Sequence, residues 1–147
     1  MRIPCLFKPS FLEAAYVTTI FESKSLHISV TMEFLVDTSA ARTTISDRDA
    51  ARIGIDYAAL ERLAGSMLGI GGTVETYIVK DPKLLFHTED HEAHEEKLEQ
   101  IYAIKHASVD ERILRIPSIL GRDILNKYAL IYDKRKERAY ITDEKTF

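Results

Sequence analysis

The sequence predicts a mainly β protein with one or two short helices. Runs of β-branched and aromatic residues recur along the chain, and polar or glycine-containing stretches separate them. The length and composition, 147 residues of which 46% are hydrophobic and 29% charged, fit an ordinary globular domain. We therefore expect one domain, residues 1–147, with a single core.

The first predicted element is a β-hairpin that ends in an aspartate. Its strands are AAYVTTIFES, residues 14–23, and LHISVTMEFLVD, residues 26–37, with a short polar stretch between them. Asp37 therefore lies where the second strand ends. Residues 1–14 are assigned to an N-terminal segment that is either mobile or part of a dimer interface.

Helix signals follow this hairpin. Residues 47–53 are rich in alanine and arginine, a serine or aspartate can cap their start, and Gly54 can end the helix. A second helical turn is expected through YAALERLAG, residues 57–65, where Gly65 is the stop.

Glycines mark a second hairpin. Three of the four residues 69–72 are glycine, and they lie between apolar β-formers, so a hairpin tip with positive φ angles is expected there. The polar residues 87–96 are predicted to be an exposed connection between two strands. The strands that follow the glycines are predicted at residues 73–79, 83–87 and 97–106.

The C-terminal part of the chain combines a helix and a last hairpin. A helix is expected to start after Gly121, and a strand follows over residues 129–132. The segment AYITD, residues 139–143, is predicted to pair with that strand through the charged turn at residues 134–137. The charges of this turn are interpreted as an exposed hairpin tip, in preference to a basic binding patch.

Charge and composition exclude several classes of partner and location. Lys and Arg number 20 against 23 Asp and Glu, so the net charge of -3 does not favour nucleic acid or an anionic membrane. No segment has the roughly 20 apolar residues of a membrane helix, and the N-terminus lacks an apolar run of signal-peptide length. Cys5 is the only cysteine, and its thiol is expected to be unreactive. We expect a cytoplasmic protein.

Asp37 is the candidate catalytic residue. The small side chains of Thr38, Ser39 and Ala40 follow it, and local hydrogen bonds from such residues can hold a carboxylate at a strand end. Hydrolysis of an amide by carboxylates needs two of them, one ionised to accept a proton from water and one protonated to polarise the carbonyl. A chain of this size with one such motif can supply the pair only across a two-fold axis, so a homodimer is expected.

Three features of the sequence occur together and in a characteristic order. They are the Asp-Thr-x-Ala strand end at residues 37–40, the glycine-rich hairpin at residues 69–72, and the segment ILGRDIL at residues 119–125. In this order they resemble the retropepsin-like (retroviral-type) aspartic proteases, in their cellular bacterial or archaeal form. The resemblance spans roughly residues 15 to 142. It implies a small closed β-barrel protomer that forms a homodimer and cleaves peptides or unfolded proteins with no cofactor and no metal.

The resemblance also implies roles for individual residues. Asp37 is the catalytic aspartate of each half, Thr38 braces the pair across the axis, and the glycine-rich hairpin is a flap that closes over the peptide. Arg122 is expected to tie the helix to the loop near Asp37, and Asp123 is expected to be available to Arg42. The implied substrate contacts are Ala41, Arg42, Gly69, Ile70, Gly71 and Gly72, and the implied structural residues are Gly121, Arg122 and Asp123.

Ser39 departs from the family, which has glycine at this position. Serine adds a Cβ and a hydroxyl where the turn after Asp37 packs against its dimer mate, and this leaves two functions open. One is an aspartic endopeptidase, and the other is an inactive dimer of the same fold that binds peptide or protein. Ala40 stands where relatives that work in acid often carry a hydroxyl that hydrogen-bonds to the carboxylate, so its methyl group is expected to favour activity closer to neutral pH.

Two motifs allow a different interpretation. The glycines of residues 69–72 do not form a phosphate loop, because the Lys-Ser/Thr of such loops is missing and the segment leads into a strand. His87, His91 and His94 would share a face and could bind a metal if their segment were helical. The segment lacks the HExxH order of zinc proteases, and an exposed acidic connection is the preferred interpretation. We therefore expect no metal site.

Overall fold

The computed structural model describes residues 1–9, 13–64, 67–69 and 72–145. These residues form a mainly β fold with thirteen strands and two α-helices, α1 (Asp47–Ile53) and α2 (Arg122–Leu125). The strands in chain order are β1 (Arg2–Lys8), β2 (Ala14–Ser23), β3 (Ile28–Val36), β4 (Thr44–Ile45), β5 (Glu61–Arg62), β6 (Met67–Gly69), β7 (Gly72–Lys80), β8 (Lys83–His87), β9 (Ala93–Lys97), β10 (Gln100–His106), β11 (Ser118–Leu120), β12 (Ala129–Asp133) and β13 (Arg138–Thr142).

Backbone pairing joins all the described strands into one sheet. Its main path runs β12, β13, β1, β2, β3, β11, β4, β10, β7 and β5, while β6 attaches to β7, β8 to β2, and β9 to β8. Most pairs are antiparallel, but β11 runs parallel to β3, and β10 runs parallel to β4. β11 lies between β3 and β4, so it is the strand beside the end of β3.

The resemblance led us to expect a closed β-barrel, and this expectation is wrong. The path of described strands ends at β12 on one side and at β5 on the other, and no pairing joins these two ends. β5 consists of two exposed charged residues, so this edge of the sheet is short and charged, as unpaired sheet edges often are.

The first hairpin and the first helix follow their sequence predictions. β2 and β3 pair in register from Tyr16 opposite Leu35 to Ser23 opposite Ile28. Ser46 caps α1 by accepting a hydrogen bond from a backbone N–H in the first turn. Gly54 ends the helix with φ 78, in the left-handed region that glycine adopts at low cost.

One hydrophobic cluster holds the strands and both helices together. Phe21 of β2, Phe34 of β3 and Leu120 of β11 are each 0% exposed. Burial of an apolar side chain of this size contributes about 1.5–3 kcal/mol, before the cost of ordering the chain. The cluster therefore anchors the ends of β3 and β11, between which the candidate site lies.

The connection predicted at residues 87–96 contains a strand. β9 pairs with β8 from Lys83 opposite Lys97 to His87 opposite Ala93, and a tight turn over residues 88–92 joins them. The polar composition concealed this strand, because its inward-facing residue is a glutamate, Glu96, and not an apolar side chain.

Two further segments differ from the sequence predictions. The helical turn expected over residues 57–65 is a 3-10 turn at Tyr57–Ala59 followed by β5, and Gly65 lies outside the described residues. Residues 2–8, for which no element was predicted, form β1, which pairs with β13 through Arg2–Cys5 and with β2 through Leu6–Lys8. The prolines of the N-terminus obscured this strand in the sequence.

The last hairpin is confirmed. β12 and β13 pair from Ala129 opposite Thr142 to Asp133 opposite Arg138. The charged turn between them is closed by the Asp133 side chain, which accepts a hydrogen bond from the Lys136 N–H at 3.3 Å.

Candidate active site

Asp37 lies directly after β3, beside the parallel strand β11. Its backbone N–H donates to the carbonyl of Leu120 at 3.1 Å, which extends the pairing of the two strands by one hydrogen bond. Leu35 and Leu120 are buried, whereas Asp37 is half-buried. The carboxylate therefore lies at the boundary between the core and solvent.

Ser39 holds the Asp37 carboxylate with two hydrogen bonds. The backbone N–H of Ser39 donates to Asp37 Oδ1 at 2.9 Å, and its hydroxyl donates to the same oxygen at 2.5 Å. The Ala40 N–H closes the turn by donating to the Asp37 carbonyl at 3.3 Å. Ser39 thus supplies the hydroxyl that Ala40 lacks. An aspartate followed two residues later by serine is a local pattern from which this contact could have been found.

Arg122 joins α2 to the loop that carries Asp37. Its guanidinium donates from Nη1 to the carbonyl of Thr38 at 3.0 Å, and its backbone N–H donates to the carbonyl of Ala40 at 2.8 Å. This is the contact expected from the sequence between the helix and the loop. It leaves the side chains of Thr38 and Ser39 exposed.

Asp123 binds Thr43 and not Arg42, which corrects the expected pairing. Asp123 Oδ2 accepts from the Thr43 N–H at 2.9 Å, and Oδ1 accepts from the Thr43 hydroxyl at 2.7 Å. A carboxylate close to a backbone N–H and a hydroxyl at the same residue gains two hydrogen bonds without a second charge. Thr43 is 0% exposed, and sequence reasoning missed it because its partner is distant in the chain.

Gly121 is required by a close approach between two backbone segments. A Cβ added at this position would lie 2.5 Å from the backbone carbon of Arg42 and 2.7 Å from its oxygen. The N–H of Gly121 donates to the Thr43 hydroxyl at 3.1 Å. The segment from Asp37 to Thr43 is therefore packed directly on the start of α2.

The glycine-rich hairpin is described up to its tip. β6 and β7 pair antiparallel, from Met67 opposite Val74 to Gly69 opposite Gly72. Ile70 and Gly71 lie outside the described residues. β7 also pairs with β10, which in turn lies beside β4, so one run of paired strands connects the hairpin to the loop that carries Asp37.

The model of a protein family described as aspartyl protease matches residues 26–124, about two thirds of the chain. The match includes Asp37, the glycine-rich hairpin and Gly121. The chain belongs to the aspartyl protease family. None of the curated proteins compared with it matches.

A solved structure shows that this family member has the retropepsin-like fold. A retropepsin-like aspartic protease from Rickettsia conorii is 18% identical, with a TM-score of 0.60, and the alignment covers 97% of this chain and 98% of that one. An EIAV protease complexed with the inhibitor HBY-793 is 17% identical, with a TM-score of 0.45 and coverage of 81% and 91%. The retroviral protease-like domain of Ddi1 from Leishmania major is 15% identical, with a TM-score of 0.45 and coverage of 87% and 89%.

Two residues that are predicted to contact a substrate follow Asp37 closely in the chain and lie on the surface. Ala41 and Arg42 are both exposed, and they lie between the Ser39 turn and β4. The Asp123 carboxylate, which the sequence offered to Arg42 as a partner, binds Thr43.

A buried polar cluster fixes α1 against β11. Ser118 donates from its hydroxyl to Asp49 Oδ2 at 2.6 Å, and both residues are buried. Burial raises the pKa of the Asp49 carboxyl, but the Ser118 hydroxyl and the guanidinium groups of Arg48 and Arg52 outweigh it, so this pKa lies below the ordinary aspartate value. The cluster is a support of the protease fold, on a strand adjacent to the one that ends at Asp37.

The structure brings together no metal site among residues 1–9, 13–64, 67–69 and 72–145, since no group of three or more potential ligands is found there. His87 ends β8, His91 lies in the turn with φ 61, and His94 lies on β9. His94 Nε2 is 2.6 Å from the Tyr128 hydroxyl and 3.2 Å from Glu96 Oε1, so it belongs to a hydrogen-bond network with other partners.

No described helix combines the length and the apolar character that crossing a membrane requires.

Proposed function

We propose that the chain is an aspartic endopeptidase that works as a homodimer, in which the Asp37 carboxylates of two copies meet across a two-fold axis. One observation carries the proposal: the Asp37 carboxylate is held at the end of a buried strand, at the edge of solvent, in a chain of the aspartyl protease family. The substrate class is peptide or unfolded protein.

A second copy is needed because the reaction needs a second carboxyl. Among the residues that the structure describes, Asp37 forms hydrogen bonds with Ser39, Leu120 and Ala40. None of these bonds is with a second carboxyl group. Two carboxyl groups close together cannot both ionise, so they share one proton and divide the roles of base and acid. A two-fold axis supplies the second group from an identical site.

The reaction uses water and no covalent intermediate. The ionised Asp37 accepts a proton from water, whose oxygen attacks the peptide carbonyl carbon, while the protonated Asp37 of the other copy donates its proton to the carbonyl oxygen. The tetrahedral diol then collapses as a proton passes to the amide nitrogen, and the C–N bond breaks. The products are a carboxylic acid and an amine.

The substrate is proposed to bind as an extended strand beneath the glycine-rich hairpin. Backbone groups of such a hairpin can pair with a peptide, and glycines allow close approach. We assign Gly69, Ile70, Gly71 and Gly72 to this flap, and Ala41 and Arg42 to substrate contacts. Thr38 is assigned to the brace between the two halves, because it is exposed beside Asp37.

The direct test is cleavage of an unfolded protein between about pH 4 and 8, where a carboxyl dyad titrates. Pepstatin-sensitive cleavage is expected from the wild-type chain and none from Asp37→Asn. Asp56→Asn is the matched control, because Asp56 is exposed and caps a 3-10 turn by accepting from Ala58, which asparagine also does. A folded wild-type dimer that cleaves nothing in this range contradicts the proposal.

Mixed dimers test the shared dyad. If each active unit needs Asp37 from both copies, equal amounts of wild-type and Asp37→Asn chains, exchanged to equilibrium, retain about a quarter of the activity of the same total amount of wild-type dimer. If each copy works alone, about half remains. Sedimentation of the same samples shows whether both chains enter dimers.

Ser39 favours a second candidate, a non-catalytic dimer that binds peptide in the same cleft. Serine replaces the glycine that the resemblance implies at this position, and its hydroxyl occupies one oxygen of the carboxylate. In that case wild-type and Asp37→Asn chains bind a peptide with similar affinity and neither cleaves it.

A further inference from the structure

The Ser39 side chain contacts one oxygen of the Asp37 carboxylate and leaves the other open. Both Ser39 donors, the backbone N–H at 2.9 Å and the hydroxyl at 2.5 Å, reach Oδ1. A carboxylate oxygen has about two lone-pair positions, so these two donors occupy Oδ1. Among the residues that the structure describes, no donor reaches Oδ2.

Neighbouring residues do not provide an alternative to this hydroxyl. Ala40 has a methyl group, and the Arg122 guanidinium is bound to the carbonyl of Thr38 rather than to the carboxylate. Ser39 is the side-chain donor that the described structure gives to Asp37. A hydrogen bond from a hydroxyl to a carboxylate is stronger than one between neutral partners.

We propose that Ser39 is a positioning residue, which fixes the rotation of the Asp37 carboxyl and makes Oδ2 the oxygen that meets water. The proposal rests on the proposed function, since it assigns a role within that site. The proposal also gives the serine a role. Its hydroxyl donates a hydrogen bond to the Asp37 carboxylate, which the methyl group of Ala40 cannot do. An ionised Asp37 held in one orientation is ready to accept a proton from water without a prior side-chain rotation.

Three substitutions at Ser39 separate the hydroxyl from the Cβ. Ser39→Ala keeps the Cβ and removes the hydroxyl, Ser39→Thr keeps both, and Ser39→Gly removes both. The backbone N–H donor remains in all three. Ser39 is exposed in the single chain, so none of these changes removes a contact from the core of the protomer.

The kinetic readout is the division between kcat and KM for cleavage of a peptide. Ser39→Ala and Ser39→Gly are expected to lower kcat roughly tenfold, with KM changed by less than about twofold, because the hydroxyl orients the carboxyl and does not touch the peptide. Ser39→Thr is expected to stay within about threefold of wild type. A Ser39→Ala chain as fast as wild type, or a Ser39→Thr chain as slow as Ser39→Ala, overturns the proposal.

A spectroscopic readout tests the contact without activity. In protein labelled with 13C at aspartate Cγ, the Asp37 resonance is identified by its loss in Asp37→Asn, and the Asp123 resonance is the internal control. Ser39→Ala is expected to move the Asp37 resonance and Ser39→Thr to leave it near its wild-type position. An unmoved resonance in Ser39→Ala overturns the proposal. A wild-type chain that cleaves nothing overturns the proposed function, and the resonance then decides separately whether Ser39 holds Asp37.

Discussion

Thr43 and Asp123, 80 positions apart in the sequence, are joined by two hydrogen bonds. The backbone N–H and the hydroxyl of Thr43 each donate to one oxygen of the Asp123 carboxylate, at 2.9 and 2.7 Å. The same hydroxyl accepts from the N–H of Gly121. Thr43 therefore closes the loop that starts at Asp37 onto the beginning of α2.

Thr43→Val is expected to destabilise the fold by about 1–3 kcal/mol, because it leaves the Gly121 N–H and one Asp123 oxygen without the hydroxyl partner in a buried place. Valine has the same shape as threonine, so the change isolates the hydrogen bonds from the packing. Urea unfolding of the wild-type and variant chains measures the difference in the free energy of unfolding.

Thr19→Val is the matched control for this change. Thr19 is 1% exposed, and its hydroxyl has no hydrogen-bond partner among the residues that the structure describes. Replacing an unpaired buried hydroxyl by a methyl group is expected to be neutral or stabilising. Equal losses of stability in Thr19→Val and Thr43→Val contradict the assignment of the Thr43 hydrogen bonds.

Gly121→Ala is expected to displace the loop that carries Asp37. The added Cβ would lie 2.5 Å from a backbone atom of Arg42, and backbone cannot move aside as a flexible side chain can. Overpacking of this kind costs about 1–3 kcal/mol or more, and we expect the activity of the proposed protease to fall with the stability.

Gly54→Ala provides the comparison for that substitution. Gly54 has φ 78, so alanine is strained there by about 1–2 kcal/mol, but nothing lies within 4 Å of the added Cβ. Thermal unfolding and peptide cleavage are measured for both variants. Gly54→Ala is expected to lose stability and keep its rate per folded molecule. A Gly121→Ala chain that also keeps its rate contradicts the role of Gly121 in placing Asp37.

The parts of the fold that were found from sequence are those whose signals lie close together in the chain. Ser46 and Gly54 cap the two ends of α1, and β2 and β3 are neighbours with a short turn. β1 and β9 were not predicted, because the contacts that hold them are with residues distant in the chain. Arg2 pairs with Thr142 at the other end of the chain, and Glu96 is buried on β9 because Lys127 and Tyr128 bind it.

In the candidate site, too, the residues that sequence could identify are those with local signals. Asp37 and its turn form a local motif, so their position at the strand end was predictable from residues 34–40. Thr43 has no sequence signal, because its role depends on Asp123 across the fold. The pairing of Asp123 with Arg42 was expected on charge alone, and the structure shows that two hydrogen bonds from Thr43 take the carboxylate instead.

The reaction rate of the Cys5 thiol measures whether β1 stays paired in the sheet. Cys5 is 6% exposed, and burial raises the pKa of its thiol to about 12. The folded chain is therefore expected to react with an aromatic disulfide reagent at least roughly a hundredfold more slowly than the urea-unfolded chain.

The control for Cys5 is a cysteine one position further along the same strand. Leu6 is 62% exposed, so Leu6→Cys in a chain that also carries Cys5→Ala is expected to react at once. Absorbance of the released thiol gives both rates. If Cys5 reacts as fast as the cysteine at position 6, β1 leaves the sheet on the time scale of the reaction.

Glu96 is expected to make the free energy of unfolding depend on pH under acidic conditions. Burial raises the pKa of the Glu96 carboxyl, but hydrogen bonds from Tyr128, Lys127 and His94 outweigh it, so the pKa lies below the ordinary glutamate value. The unfolded chain then binds more protons than the folded one between the two pKa values. The stabilisation is therefore complete above about pH 4.3 and is lost as the pH falls through the folded-state pKa.

Glu96→Gln is expected to remove this part of the pH dependence. At neutral pH it lowers the free energy of unfolding by about 1–2 kcal/mol, because the charged acceptor of the Lys127 amine and the Tyr128 hydroxyl is gone. Between about pH 5 and 3 its stability falls less steeply than that of the wild type. Glu99→Gln, an exposed change between β9 and β10, leaves the curve as it is. Urea unfolding at each pH gives the three curves, and a Glu96→Gln curve parallel to the wild type shows that other carboxyl groups cause the acid sensitivity.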